Sequence, residues 1–510
     1  MEADSGSAGR RRLILLAALV AALSTAPSAR ADALDRVRRS GTLLYASDAE
    51  GGGPYAFPDP AEPSRMIGFE VELMALLAGE LGPTPTRVQA QWDTLLQVLT
   101  TGHVDAVVNG YEWSPAHAAR YLATRPYYVN QLQVMARRGG PVASWGTLGA
   151  PKPGGGRWRV GVLGGSAAEA FARENGGSHV EVLYFNGAVD GMMATKNGQV
   201  DATLQDLPAA RYYGPQYPEL ALAGPPVGRS LYVMYLRPED GRLRDALDRG
   251  ITRLVVGGEL RRLFERYHIW TDAQGELSTL GPIAAPAVEP VRRRALLSRY
   301  GPSLVAPALM TIFLSCASMP LAMGLGLAVA LGRMYGPAPV RWGLGVYVEV
   351  LRGTPLMLQL FALFFLLPEL HLSLPPLVAG VVGLAVNYSA YEAEVYRAGL
   401  QAIPAGQMEA ALALGMSRGL ALRRVVVPQA ARVVLPAVTN DFINLFKDTS
   451  VCSVITLVEL TKQYSILANS TGGVVEFALA TSALYLLMSL PLAWASRWSE
   501  RRLATGGAKP

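Results

Sequence analysis

Along the chain the spacing of apolar residues changes character. From about residue 35 to 275, short apolar runs alternate with helical stretches in which apolar residues recur every three or four positions, the rhythm of an α/β fold. TLLYAS (42–47), VDAVV (104–108), WRVGVL (158–163) and VDATLQ (200–205) are the predicted strands. Each runs into residues able to hold a polar ligand: Asp48; Asn109 and Gly110; Gly164, Gly165 and Ser166; and Asp206. Ligands of open α/β sheets sit beyond the carboxyl ends of the strands, so two early and two late strand ends predict two lobes with a ligand between them. TDAQGELSTLGPIAAPAVEP (271–290) has no apolar period and reads as a connector reaching at most ~60 Å. Beyond it, apolar runs approach the ~20 residues that cross a bilayer, with expected spans near 304–331, 343–367, 375–396, 425–446 and 474–496.

Charge orients this layout. The net charge of +6 includes Arg333 and Arg341 after the first span, Arg397, Arg418, Arg423 and Arg424 after the third, and Arg497, Arg501 and Arg502 in the tail. PELHLSLPP, after the second span, has no Lys or Arg, so the first and third loops and the tail are expected in the cytoplasm and the N-terminal domain outside. Arg292 to Arg294 and Arg299 fall on the outer side in this arrangement, which a large exported domain tolerates. Residues 1–32 carry Arg10 to Arg12, then LILLAALVAALS, then Ala29-Arg30-Ala31, the order of a signal peptide; an uncleaved anchor helix is the alternative. The expected division is therefore 1–32 signal peptide, 33–272 solute-binding domain, 273–299 linker, 300–500 membrane domain and 501–510 cytoplasmic tail.

Composition excludes several kinds of chemistry. Two cysteines, both in the membrane half, and five histidines without metal-ligand spacing predict neither a disulfide framework nor a metal site. No basic run interleaved with aromatics predicts a nucleic-acid track. No nucleophile and base stand at motif spacing, so the chain is not expected to be an enzyme, and no cofactor is expected. Ser166 precedes the helical AAEAFAREN as an N-cap, where free N–H groups can receive a carboxylate; an ordinary capping serine is the alternative. Asp206 can attract an ammonium group or be a turn aspartate. Asn387, Asn440 and Asn444, with Glu392, Glu394, Asp441 and Lys447, are polar residues within spans and hence candidates for a solute pathway.

GFEVELMALLAGELG (68–82), WDTLLQVLTTGHVDAVV (92–108), VGVLGGSAAEAF (160–171) and GQVDATLQD (198–206) resemble the type II solute-binding proteins that serve polar amino acids. The resemblance implies roles for Asp206 (ligand ammonium), Ser166 (hydroxyl), Trp92 (aromatic) and Gly110 (backbone donor). At the position of the family's carboxylate-binding arginine stands His117, with Glu112 where a small hydroxyl residue is usual and Arg120 one turn further on. Asp48 and Tyr55 complete the expected pocket, which is more acidic than the family's pattern and suited to a cationic or modified amino-acid-like solute.

EAALALGMSRGLALRRVVVPQA (409–430) resembles the EAA coupling loop of ABC importer permeases, and YVEVLRGTPLMLQLF (347–361) resembles their polar-amino-acid subgroup. Glu409, Ala410 and Ala411 open the expected hairpin and Gly415 is its elbow; an amphipathic loop on the lipid surface is the alternative from periodicity. The chain has no G-x-x-x-x-G-K-[ST], so a separate ABC ATP-binding subunit is implied, together with a permease pair, a homodimer or one copy with a relative. The expectation is an α/β two-lobed domain of periplasmic-binding-protein type followed by an all-α transmembrane domain of about five helices, multi-pass in the plasma (inner) membrane, importing a small polar amino acid or related solute. A ligand-gated channel or membrane sensor is the rival.

Overall fold

The computed structural model describes residues 33–49, 52–283, 293–471 and 473–504. The expected signal segment, residues 284–292 of the connector and the last six residues lie outside them.

Thirteen strands are described: β1 (Thr42–Ser47), β2 (Phe57–Pro58), β3 (Met66–Ile67), β4 (Thr84–Gln89), β5 (Ala106–Val107), β6 (Leu122–Ala123), β7 (Tyr128–Arg137), β8 (Trp158–Leu163), β9 (Val180–Phe185), β10 (Ala202–Asp206), β11 (Leu220–Leu222), β12 (Val227–Tyr232) and β13 (Tyr235–Leu236). One sheet runs β4-β1-β5-β13-β6 and the other β11-β7-β10-β8-β9, with β12 also on β7. Each sheet is the heart of one lobe. The chain crosses between lobes twice, after β6 and before β13, and the antiparallel pair of β7 and β12 joins them.

The central strands β1 and β8 draw on apolar runs because both their faces are largely covered, whereas the edge strand β4, TPTRVQ, has no buried residue. In the first lobe Leu43, Phe69, Leu73, Leu77, Leu247 and Phe264 are fully buried; in the second Val134, Val160, Val162 and Leu204 are, with Trp158 nearly so. All four predicted strands form, and their carboxyl ends face one another across the lobe boundary. The segment expected to begin the connector is instead packed on the first lobe. Residues Asp272–Ser278 form a 3₁₀ turn, Gln274 exchanges two hydrogen bonds with the backbone of Val129, and the Arg125 guanidinium donates to the carbonyls of Leu277 and Leu280. Periodicity could not reveal this, since the segment is held by polar groups and a few buried side chains rather than by an apolar stripe.

Two described helical stretches are long and apolar enough to cross a membrane, Leu296–Tyr335 and Val474–Pro491. Two further pairs qualify together but are bent, by 109° between Ala338–Gly353 and Leu356–Leu370 and by 56° between Arg418–Ile455 and Leu460–Ala468. The span expected at 343–367 is thus broken. Pro355 cannot donate to the preceding turn and holds Thr354 in extended backbone (φ −117°, ψ 143°). Helix Pro376–Gln401, the expected third span, is not among these apolar stretches and carries Glu392, Glu394 and Arg397 in its second half. It lies at the centre of the bundle, where Ala330, Ala390 and Ala393 are fully buried at its crossing with helix Val305–Tyr335, small residues that let two backbones approach.

The second lobe sits on the membrane domain. Phe185, Ala194 and Val200 share an apolar cluster with Leu360, Phe364 and Phe365. Around it Lys462 Nζ donates to Asn186 Oδ1 at 2.6 Å, Gln199 Nε2 to the Phe364 carbonyl at 2.7 Å, and Lys196 pairs with Glu369 at 3.0 Å.

Candidate functional site

The carboxyl ends of β1, β5, β8 and β10 deliver Asp48, Asn109, Gly110, Ser166 and Asp206 to one cavity between the lobes, with Tyr55, Trp92 and Asn186 also lining it. Gly110 has φ +62°, and a Cβ there would lie 2.9 Å from the Tyr55 ring, so the loop after β5 closes on the cleft only with glycine.

Asp206 is held by three side-chain donors. Its Oδ2 accepts from Tyr232 Oη at 2.6 Å and Tyr55 Oη at 3.4 Å, and its Oδ1 from Asn130 Nδ2 at 3.1 Å. All three donors are neutral. Burial raises the pKa of Asp206, and the three hydrogen bonds pull it part of the way back. Glu112 reaches across the cleft, accepting the Ala167 N–H at 3.3 Å, and burial followed by the charge of Asp206 lifts its pKa well above the usual carboxylate range. Asp48 accepts from the Trp92 N–H at 2.7 Å and from Gln89 Nε2 at 3.0 Å.

Trp92 stacks on Tyr111 with ring centres 4.4 Å apart and planes 15° apart, and its Nε1 donates to the Gly164 carbonyl of the opposite lobe at 3.3 Å. Ser166 caps helix Ala167–Asn175: its Oγ accepts the Glu169 N–H at 3.4 Å while Glu169 accepts the Gly165 N–H at 2.7 Å, the reciprocal capping box that S-x-x-E spells. Its own hydroxyl donates to the Leu163 carbonyl at 2.7 Å.

His117 and Arg120 lie outside this cavity, and Glu112 is not one of its lining residues but sits at its edge, on the N–H of Ala167 between the lining residues Ser166 and Ala168. The His117 ring is set edge-on against Tyr235 and Tyr111, at 5.4 and 6.0 Å, because Ser114 caps the turn Pro115–Ala118 and directs its side chains into that aromatic cluster. Glu70, Asn130 and Tyr232 were not anticipated. Glu70 is signalled by an acid at the first turn of the apolar helix Phe69–Leu81: it is buried, and its Oε1 accepts the Gly110 N–H at 2.7 Å and the Tyr127 hydroxyl.

Asp48 and Trp92 also face a second chamber of about 290 Å³, closed on the other side by Met357, Ser453, Thr461 and Lys462 of the membrane domain. Deeper in that domain a polar cavity of about 590 Å³ is lined by Arg352, Asn387, Tyr388, Asp441, Asn444, Lys447 and Asp448. Asn440 is exposed and does not line it; on helix Val427–Asp448 the cavity-facing residues follow the spacing 441, 444, 448. Glu394 bonds Arg333 and Arg397 instead of facing the cavity, and Glu392 is fully buried. At the far end, helix Ala405–Ala413 stops at Gly415 (φ +82°), which presents Leu414 at 82% exposure and keeps Glu409 and Ala410 exposed while Ala411 packs inward.

A two-lobed α/β receptor domain joined to a helical membrane domain is the receptor and permease of an ABC importer, combined in one chain. Residues 49–269 match the bacterial extracellular solute-binding proteins, family 3, and residues 322–505 the binding-protein-dependent transport system inner membrane component. The L-cystine transport system permease protein TcyB of Bacillus subtilis (strain 168) is 37% identical over 205 residues, 40% of this chain and 88% of that protein. The glutamine transport system permease protein GlnP of Escherichia coli (strain K12) is 35% identical over 204 residues, 40% and 93%. A crystal structure of an amino acid ABC transporter with histidines is 37% identical, covering 40% of this chain and 96% of that one, with a TM-score of 0.39. The chain belongs to the amino acid ABC transporter permease family and carries its own solute-binding domain.

Proposed function

We propose that this chain captures a polar amino acid or amino-acid-like solute outside the cell and passes it through its own membrane domain, driven by ATP hydrolysed on a separate subunit. The observation that carries this reading is that Asp48 and Trp92 line both the cleft and the chamber against the membrane domain. Solute leaving the cleft there enters the permease without passing through bulk solvent. Asp206, Glu112, Asp48 and Tyr55 form the receptor site, with Trp92 closing it. Asn387 and Asn444 belong to the pathway, in the polar cavity. Two copies of residues 300–500 form the permease, each offering the hairpin around Gly415, with Glu409 and Leu414, to an ABC ATP-binding subunit on the cytoplasmic face. The second loop and the docked lobe then lie outside the plasma membrane, as the arginine distribution requires.

Reconstitution with the ATP-binding subunit tests this. Solute-stimulated ATP hydrolysis together with accumulation against a gradient is expected. Solute-dependent currents without ATP are the result that would sink it.

A further inference from the structure

An amino acid held between two lobes needs opposite anchors: an anion for its ammonium group, and donors for its carboxylate. Around this cleft three backbone donors are already engaged by the protein's own acids. The Gly110 N–H, the backbone donor expected for a ligand, donates to Glu70 at 2.7 Å, and Glu70 is only 1% exposed. The Ala167 N–H, first in its helix, donates to Glu112 at 3.3 Å from the opposite lobe, and the Gly165 N–H to Glu169 at 2.7 Å. Among the described residues no Lys or Arg lines the cavity, and His117, at the position of the carboxylate-binding arginine, is turned into the aromatic cluster of Tyr111 and Tyr235. Asp206, by contrast, faces the cavity with three neutral donors and no cation.

We propose that the cleft selects a compact organic cation without a free carboxylate, an amine or a guanidine, with Glu112 standing where an amino acid's own carboxylate would be held and Asp206 receiving the positive charge. This deepens the importer reading above and rests on it. Electrostatics point the same way: burial and the charge of Asp206 make Glu112 reluctant to ionise, a repulsion that a bound cation relieves and a third carboxylate worsens. An amino acid entering this cleft brings its carboxylate against Glu112, with no guanidinium among the described lining residues to receive it.

The probes are two pairs that differ only by a carboxylate: agmatine against L-arginine and cadaverine against L-lysine, titrated calorimetrically into the full chain in lipid nanodiscs. In at least one pair the amine is expected to bind tenfold or more tightly than its amino acid. Glu112→Ser, which removes the built-in carboxylate and opens the Ala167 N–H, is expected to narrow that ratio below about threefold. Glu112→Gln, which keeps the size and the acceptor, is expected to weaken the amine at least tenfold without improving the amino acid. Equal or tighter binding of arginine and lysine, a ratio unmoved by both substitutions, or no binding of any of the four overturns the proposal. Arginine bound and accumulated with ATP would sink this inference and leave the importer standing. Tight agmatine binding without ATP-driven uptake would do the reverse.

Discussion

Replacing Glu70 by glutamine should change how the stability of the receptor domain depends on pH. Burial, opposed by the hydrogen bonds from Tyr127 and Gly110, raises the Glu70 carboxyl from its ordinary 4.5 to about 7. The sign follows from proton uptake. Between those values the folded domain keeps a proton that the unfolded chain releases, so stability falls as pH rises from about 4.5 to about 7 and levels off above. At ~1.4 kcal/mol per pH unit, the displacement corresponds to about 3 kcal/mol for a side chain 1% exposed. Glutamine does not titrate. It retains an acceptor for Gly110 and Tyr127 and places an amide nitrogen where Glu70 Oε2 has no hydrogen-bond partner, an offset that does not vary with pH. The difference in opening free energy between Glu70→Gln and the unaltered chain should therefore move by about 3 kcal/mol in favour of the variant between pH 4.5 and 7.5. Hydrogen exchange of helix Phe69–Leu81 in the full chain, corrected for intrinsic rates, reads that quantity. Parallel curves, with a difference constant to within about 0.5 kcal/mol, would mean that Glu70 is ionised throughout and that the reasoning is wrong.

Asp206→Asn removes the charge but leaves a carbonyl for Tyr232, and should weaken agmatine binding roughly a hundredfold, the scale of a buried charge-assisted contact; calorimetry showing no change would remove Asp206 from the site. Trp92→Phe keeps the stack on Tyr111 and loses only the bond to Gly164, so it should open the lobes at a cost of ~1 kcal/mol, about fivefold in solute affinity, without altering the thermal midpoint. Gly415→Ala meets no atom within 4 Å and should cost ~1 kcal/mol of hairpin strain from its φ of +82° alone, whereas Leu414→Asp should abolish capture of the ATP-binding subunit in pull-down with the fold unchanged.

Much of the receptor was legible because strand alternation and strand ends obey local rules. Asp48, Asn109, Gly110, Ser166 and Asp206 each fall within three residues of the end of an apolar run, so convergence followed from topology. What escaped notice depends on long-range geometry. Glu70 lies 40 positions from the Gly110 amide it occupies, and Tyr232 lies 26 from Asp206. His117 marks the limit of alignment: its number matched a functional position, but the cap at Ser114 turned its ring elsewhere. In the membrane half, hydropathy located the segments, yet Pro355 decided that one of them turns by 109°, and helix phase, not polarity, separated Asn444 from Asn440 at the polar cavity.

Fusion of receptor and permease changes what the docking contacts must achieve. A free receptor must find the permease by collision; a connector of a dozen or so residues keeps this one at an effective concentration near ~1 mM. Contacts as modest as Lys462 to Asn186, Lys196 to Glu369 and Gln199 to the Phe364 carbonyl, around a small aromatic cluster, are then enough to populate the docked state. Under the proposed importer reading docking need not be strong. The consequence is specific to the tether: Lys462→Glu should slow uptake at saturating solute severalfold while leaving cleft affinity unchanged, since the cleft is lined by other residues. The same substitution should be far more damaging when the two halves are supplied as separate chains at micromolar concentration. Equal losses in the two formats would show that the tether contributes nothing to delivery.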